Sequence, residues 1–147
     1  VITILLAVLL GVSLPAPSPE ASGDLVLQIE NISCTDGALM IAIFARPTDF
    51  LKKGREYWRR RIEAFTNGRH RLEIADLPHG QYAIAVYHDL NGNGKLDKNL
   101  IGIPSEPYAF SNNPRAKWKR PDFLDSRVQF YTPRLELKLE LLKWREY

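Results

Sequence analysis

Near its C-terminus the chain reads R-L-E-L-K-L-E-L-L, with Leu135, Leu137, Leu139 and Leu141 alternating with Glu136, Lys138 and Glu140. Successive side chains of an extended strand point to opposite faces, so this pattern prescribes a strand with one face in a core and one in water. At helical spacing the same leucines would scatter around the axis and define no buried stripe. The segment therefore commits the chain to a sheet that covers a core.

The alternation recurs upstream. In Asp24 to Glu30, Leu25, Leu27 and Ile29 alternate with Val26, Gln28 and Glu30. In Gln81 to His88, Tyr82, Ile84, Val86 and His88 share one face. R-H-R-L-E-I-A-D turns Leu72 and Ile74 inward, and Phe123 to Tyr131 reads as a further strand. The nearly continuous apolar run from Ala38 to Arg46 suits a strand buried on both faces, although its length also fits a short helix. Lys52 to Phe65 fits either a short helix or a strand with a basic outer face. Turn signals separate these segments: T-D-G at Thr35 to Gly37, T-N-G at Thr66 to Gly68, and L-P-H-G at Leu77 to Gly80. About six or seven short strands joined this way predict an all-β fold. The expected form is an antiparallel β-sandwich, immunoglobulin-like or prealbumin-like, with one long ordered loop. Its core is expected to contain Leu27, Ile29, Ile41, Ile43, Leu72, Ile74, Ile84, Val86, Val128, Leu137 and Leu139.

The chain begins V-I-T-I-L-L-A-V-L-L-G-V-S-L and continues P-A-P-S-P-E-A-S-G. The apolar run is shorter than the roughly 20 residues that a membrane-spanning helix needs. A short apolar core followed by small and polar residues is the pattern of a secretory signal. It predicts a leader over residues 1–22, cut between Ser13 and Ser22, and a single domain over 23–147, exported to the periplasm or the extracellular space. Cys34 is the only cysteine, which excludes an intramolecular disulfide framework. At the end of a strand-like stretch it reads as a buried structural thiol. The net charge is +3, with basic residues gathered in Lys52 to Arg61 and Arg115 to Arg120. Such runs suit nucleic acid, an anionic lipid surface, or a solvated face with long stems over aromatics. An exported chain rarely meets nucleic acid. The solvated face is the expectation, with a weak attraction to anionic envelope surfaces, no nucleic-acid partner and no membrane span in the mature chain.

The segment Leu90 to Pro121 is long, irregular and rich in Gly, Asn and Pro. Structureless loops of this length in a small domain are usually functional or disordered. Here Ile101, Ile103, Tyr108, Phe110 and Trp118 can pin the loop to a surface, which points to order and to function. The loop opens with oxygen-bearing side chains at alternate positions, Asp89, Asn91 and Asn93, followed by Gly94, Lys95 and Asp97. Calcium loops use this spacing, with a Gly at the sharp turn and a backbone carbonyl at the next position, here Lys95. The twelfth position of that register holds Leu100 instead of a bidentate Glu, and Glu106 is the nearest acid beyond it. The same residues also make a purely structural polar turn, since Asn and Asp bond their own backbone and Gly supplies positive φ. Both readings stand. His88, Tyr108, Phe110, Ser111, Asn112 and Asn113 are the candidate ligand-facing residues around the loop. A hydrolase built on His88 with Asp89 or Glu106 is the weaker alternative: no nucleophile-elbow pattern surrounds Ser111, and adjacent strand residues face opposite ways. Zinc spacing, phosphate loops and dinucleotide fingerprints do not occur.

Three stretches carry a resemblance: L-P-H-G-Q-Y-A-I-A-V-Y-H-D (Leu77 to Asp89), N-G-N-G-K-L-D (Asn91 to Asp97) and G-I-P-S-E-P-Y-A-F-S-N-N (Gly102 to Asn113). Through them the chain resembles a bacterial family of exported proteins known as domain of unknown function 2141. The resemblance implies an exported β-domain without an assigned activity. The basic runs are less typical of that family. The Leu-Pro-x-Gly-x-Tyr turn is also similar to one in transthyretin-like and carboxypeptidase-regulatory-like sandwich domains, which implies a sandwich and no particular chemistry.

The function expected from the sequence is therefore a non-catalytic binding module with an envelope protein or glycan as partner, stabilised by calcium if the Asp89 to Asp97 loop binds one. A structural envelope protein is the alternative. Export has a direct check. When the full-length chain is expressed in a bacterial host, N-terminal sequencing should find a mature form starting after Ser13, outside the cytoplasm. An uncleaved cytosolic chain would contradict the leader.

Overall fold

The computed structural model describes residues 21–115 and 119–147. The expected leader lies in large part outside the described residues, as does Trp118. Along the described chain run β1 (Ser22–Ile32), β2 (Ala38–Phe44), β3 (Trp58–Ile62), β4 (Gly68–Pro78), β5 (Gly80–Asp89) and β6 (Tyr108–Phe110). A single helical turn, α1 (Phe123–Ser126), then precedes β7 (Arg127–Phe130) and β8 (Arg134–Glu140). No helix among the described residues is long and apolar enough to cross a membrane.

The strands form a three-stranded sheet, β4-β1-β8, and a five-stranded sheet, β3-β2-β5-β6 with β7 also on β5. Their inner faces enclose one core, so the chain is an all-β sandwich. β5 organises the larger sheet. One edge pairs with β2, and the other pairs with β7 over Gly80 to Ala83 and with β6 over Ala85 to Tyr87. Its inward residues Tyr82, Ile84, Val86 and His88 are all buried, as the alternation requires. Leu27, Ile29, Ile41, Ile43, Leu72, Ile74, Val128 and Leu139 are buried with them, and Leu137 is partly buried against the same core. Phe130, Leu25, Leu39 and Leu141 belong to the same core.

Three details differ from the sequence reading, and one ambiguity is resolved. β1 pairs with β8 in parallel, Leu27 opposite Leu137, so the sandwich is not wholly antiparallel. Period-two alternation fixes which face is buried and is silent on strand direction. The chain reaches β8 from β7 in the opposite sheet, and a parallel partner needs such a crossover, not a hairpin. Next, Phe123 to Ser126 is helical and not strand. Asp122 and Asp125 cap each other, the Asp125 N–H on Asp122 at 2.9 Å and the Asp122 N–H on Asp125 at 3.0 Å, which closes one turn. The ambiguous Lys52 to Phe65 segment contributes an edge strand, β3, with Arg60 laid over the Trp58 ring at 5.7 Å. Finally, Cys34 is only partly buried, in the connection from β1 to β2, and is not a core thiol.

The L-P-H-G-Q-Y segment forms the β4–β5 turn, where the Tyr82 hydroxyl donates to the Pro78 carbonyl at 2.8 Å. Gly37 fixes the β1–β2 connection. Its φ is +73°, and a Cβ there would stand 1.9 Å from the Asp89 carbonyl oxygen, so only glycine fits.

Ile84 is fully buried at the centre of β5. Ile84→Ala is expected to destabilise the protein by about 2–5 kcal/mol in urea denaturation, through lost transfer energy and the cavity left behind. A loss below about 1 kcal/mol would be too small for a packed core at this position.

Candidate functional site

β5 ends at Asp89, which the alternation turns to the outer face of the larger sheet, away from His88. The Asp89 side chain has no exposure at all. A buried carboxylate must be paired and hydrogen-bonded, and this one is both. Arg61 of β3 reaches it with Nη1 at 3.1 Å. The backbone N–H groups of Asn93 and Gly94 donate to it at 3.0 and 2.8 Å. Glu106, 4 % exposed, works from the far end of the segment. Its Oε1 accepts the Leu90 N–H at 2.8 Å and its Oε2 the Asp97 N–H at 2.9 Å. Two buried carboxylates thus fold residues 89–106 back on themselves.

The intervening side chains complete the fold of the loop. Asn91 Oδ1 accepts the Asn93 N–H at 3.1 Å, and Asn93 Oδ1 accepts the Lys95 N–H at 2.9 Å. Their amide nitrogens both donate to Asp97, Asn91 at 2.6 Å and Asn93 at 3.0 Å. Gly92 and Gly94 take φ of 73° and 75°, which the tight turns demand. The Asn91 and Asn93 side chains are therefore brought onto Asp97 beside the Asp89 carboxylate, and Glu106 holds the backbone at Leu90 and Asp97. Lys95 contributes its backbone, and its side chain is exposed. Among the described residues no three His, Cys, Asp or Glu side chains are arranged as a metal cluster. The set here mixes carboxylates with carboxamides. Each carboxamide oxygen that accepts an N–H retains a second lone pair. The acids also act together on a neighbour: burial first, then Asp89 and Glu106, hold the Tyr87 phenol above its ordinary pKa.

The other sequence candidates separate into two groups. His88 is wholly buried, its ring edge-on to Phe65 at 5.4 Å. Its Nε2 donates to the Asp36 carbonyl at 2.8 Å, and Nδ1 has no hydrogen-bond partner among the described residues. Ser111 plugs the junction of β6 and β7. Its Oγ accepts the Ile84 N–H at 2.9 Å and makes a short bond to the Ser126 carbonyl. Asn112 donates to the Arg127 carbonyl at 2.8 Å. Asn113 crosses to the other sheet, donating to the Lys138 carbonyl at 2.9 Å and accepting the Glu140 N–H at 3.0 Å. These four side chains are spent on the protein's own backbone. Tyr108 and Phe110 are different: both line an open groove.

That groove, about 1200 Å³, lies over the outer face of the larger sheet. Strand register lays out its floor in rows. One row runs Arg59, Ala42, Ala85, Phe110. The next runs Arg61, Met40, Tyr87, Tyr108. Leu51 and Phe44 close one end, beside an aromatic cluster in which Phe50 meets Phe44 at 5.4 Å and Phe110 at 6.1 Å. Leu96, Ile101 and Ile103 of the long loop form a further wall. Sequence reasoning missed Ala42 and Ala85 and took Arg59 only as part of a basic run. Their signal was available: the outward positions of β2 and β5 are small or apolar where a solvated face would be polar.

The fold and this face define a small β-sandwich that carries a carboxylate-closed loop beside an open groove. A family model described as an uncharacterized protein conserved in bacteria, DUF2141, matches residues 27–137, from within β1 to within β8, and the chain belongs to that family. No curated protein and no solved structure matches it.

Glu106→Gln is expected to cost about 1–3 kcal/mol in urea denaturation. The amide turns a donor toward one of two backbone N–H groups that previously met oxygen. Glu63→Gln, which touches Arg61 from an exposed position, should change stability by no more than about 0.5 kcal/mol. Equal effects of the two substitutions would remove Glu106 from its role.

Proposed function

We propose that this protein is an exported, non-catalytic binding module whose recognition surface is the groove with its flanking loop, and that calcium firms the loop. The observation that carries the reading is the gathering of Asp89, Asn91, Asn93 and Asp97 around one turn. Six to eight oxygens serve a calcium ion, drawn from carboxylates, carboxamides and backbone carbonyls. Asp89 and Asp97 would supply charge, Asn91 and Asn93 neutral oxygens, and Lys95 its carbonyl, while Glu106 holds the loop's backbone. To admit the cation, the Asn91 and Asn93 amide nitrogens give up Asp97. The remaining hydrogen bonds keep the loop folded in either state, so the ion adds rigidity to a loop already closed.

Support for a non-catalytic role comes from the groups an enzyme would use. His88, Ser111 and Asp89 are buried and engaged with backbone or with Arg61. A nucleophile needs a base within reach and a reacting atom beside both. Sandwich faces that carry partly exposed apolar side chains serve instead to bind.

A thermal melt tests the calcium reading. A site for extracellular use has a dissociation constant of about 10⁻⁴ to 10⁻³ M. At a hundredfold excess of ligand over that constant, native-state binding adds about 2.7 kcal/mol. Wild type in about 10 mM calcium, a level set by that affinity range, should melt measurably above wild type in chelator. Asp97→Asn should abolish the difference, and magnesium should replace calcium poorly because it holds its waters tightly. Coincident wild-type melts would reduce the loop to a hydrogen-bonded turn.

A further inference from the structure

Resting on the reading of this face as a binding surface, we infer that the groove takes a single anionic amphiphile, its acyl chain along the alanine floor and its carboxylate or phosphate at the basic rim. The floor sets the first condition. Ala42 and Ala85 face each other across the β2–β5 ladder and leave a trough between Arg59 on one side and Phe110 on the other. β2 and β5 are interior strands, hydrogen-bonded along both edges. The trough therefore offers no backbone donor or acceptor. A peptide or sugar laid there would bury polar groups without partners, whereas an alkyl chain has none to satisfy.

The rim sets the second condition. Lys53, Arg59, Lys95, Lys98, Lys119 and Arg120 line the groove, and Glu56 is the one acid lining it among the described residues. Arg61 is already held by Glu63 and Asp89. Arg59 has no ion-pair partner among the described residues, although it stands on the same face one row away. It is placed to meet an acidic head group at the edge of an apolar floor. The third condition is cover. Ile101 lines the groove yet is 79 % exposed, and its neighbour Leu100 is fully exposed. An acyl chain gives these side chains an apolar surface to pack on, which water does not. The groove's volume of about 1200 Å³ exceeds the roughly 300–1,000 Å³ of ordinary small-ligand sites, so a long chain fits.

Calorimetric titration of the folded protein tests the proposal, using dodecanoate, decanoate and decanol below the concentrations at which they aggregate. Dodecanoate should bind about tenfold more tightly than decanoate, the factor expected for two buried methylenes. Decanol, which lacks the charge, should bind at least tenfold more weakly than decanoate. Arg59→Glu, on an exposed strand edge, should weaken dodecanoate about tenfold without moving the melting temperature. Ala85→Phe should fill the trough and abolish binding. If that variant does not fold, the Arg59→Glu and chain-length results still decide. Equal affinity for decanol and decanoate overturns the proposal, as does affinity independent of chain length. Binding only to phosphatidylglycerol vesicles, with no titration by monomeric dodecanoate, would make the face a membrane-docking surface and overturns it too. The calcium melt contains no amphiphile. A calcium-dependent melt with a flat titration therefore overturns the ligand class alone.

Discussion

The carboxylate of Asp89 is the point at which three parts of the molecule meet. It ends the central strand of the larger sheet, pairs with Arg61 on the edge strand, and receives two N–H groups from the turn of the long loop. Its burial makes this arrangement all-or-none. A buried charge without partners is far more costly than any one of its hydrogen bonds is favourable, so the loop and the edge strand must both be in place when the strand ends there. Glu106 applies the same logic from the other end of the loop. Between them, a segment without regular secondary structure becomes as determined as a strand, and it becomes a wall of the groove.

The faces of the sheets were legible in the sequence because alternation is a direct image of burial. Ile84, Val86, Leu27 and Leu139 sit where the pattern put them. Strand direction was not legible, since the leucines of β8 alternate identically whether it runs with or against β1. The helical turn at Phe123 was hidden by a run that looks extended, while its real signature was the pair of aspartates that cap each other. In the loop, the alternate Asn and Asp side chains were legible as a polar turn, and Asn91 and Asn93 close it onto Asp97 and their own backbone. The contribution of Arg61 did not show, because a cation on a distant strand leaves no trace in local spacing.

The S-N-N segment illustrates how polar residues mislead. Exposed polar clusters in loops invite a binding role, and Ser111, Asn112 and Asn113 look like such a cluster. In the fold they resolve a problem of backbone accounting. β6 and β7 share one edge of β5 and leave a gap at Ile84, which Ser111 fills from both its backbone and its hydroxyl. Asn112 and Asn113 adopt positive φ, 65° and 43°, and tie that gap to β7 and to β8 of the opposite sheet. Buried backbone donors and acceptors must be met somewhere, and here side chains do what a missing stretch of strand cannot.

The edge strand β3 carries Arg59, Arg60 and Arg61 in succession. An outermost strand presents unpaired N–H and C=O groups to any similar chain, and sheets open in this way tend to zip together into fibrils. Repeated guanidinium groups counter that tendency. A second copy approaching edge-on would bring its own row of like charges alongside, and the repulsion would act before any hydrogen bond formed. The basic run, expected from the sequence to be a solvated face, thus also opposes edge-to-edge pairing of two copies.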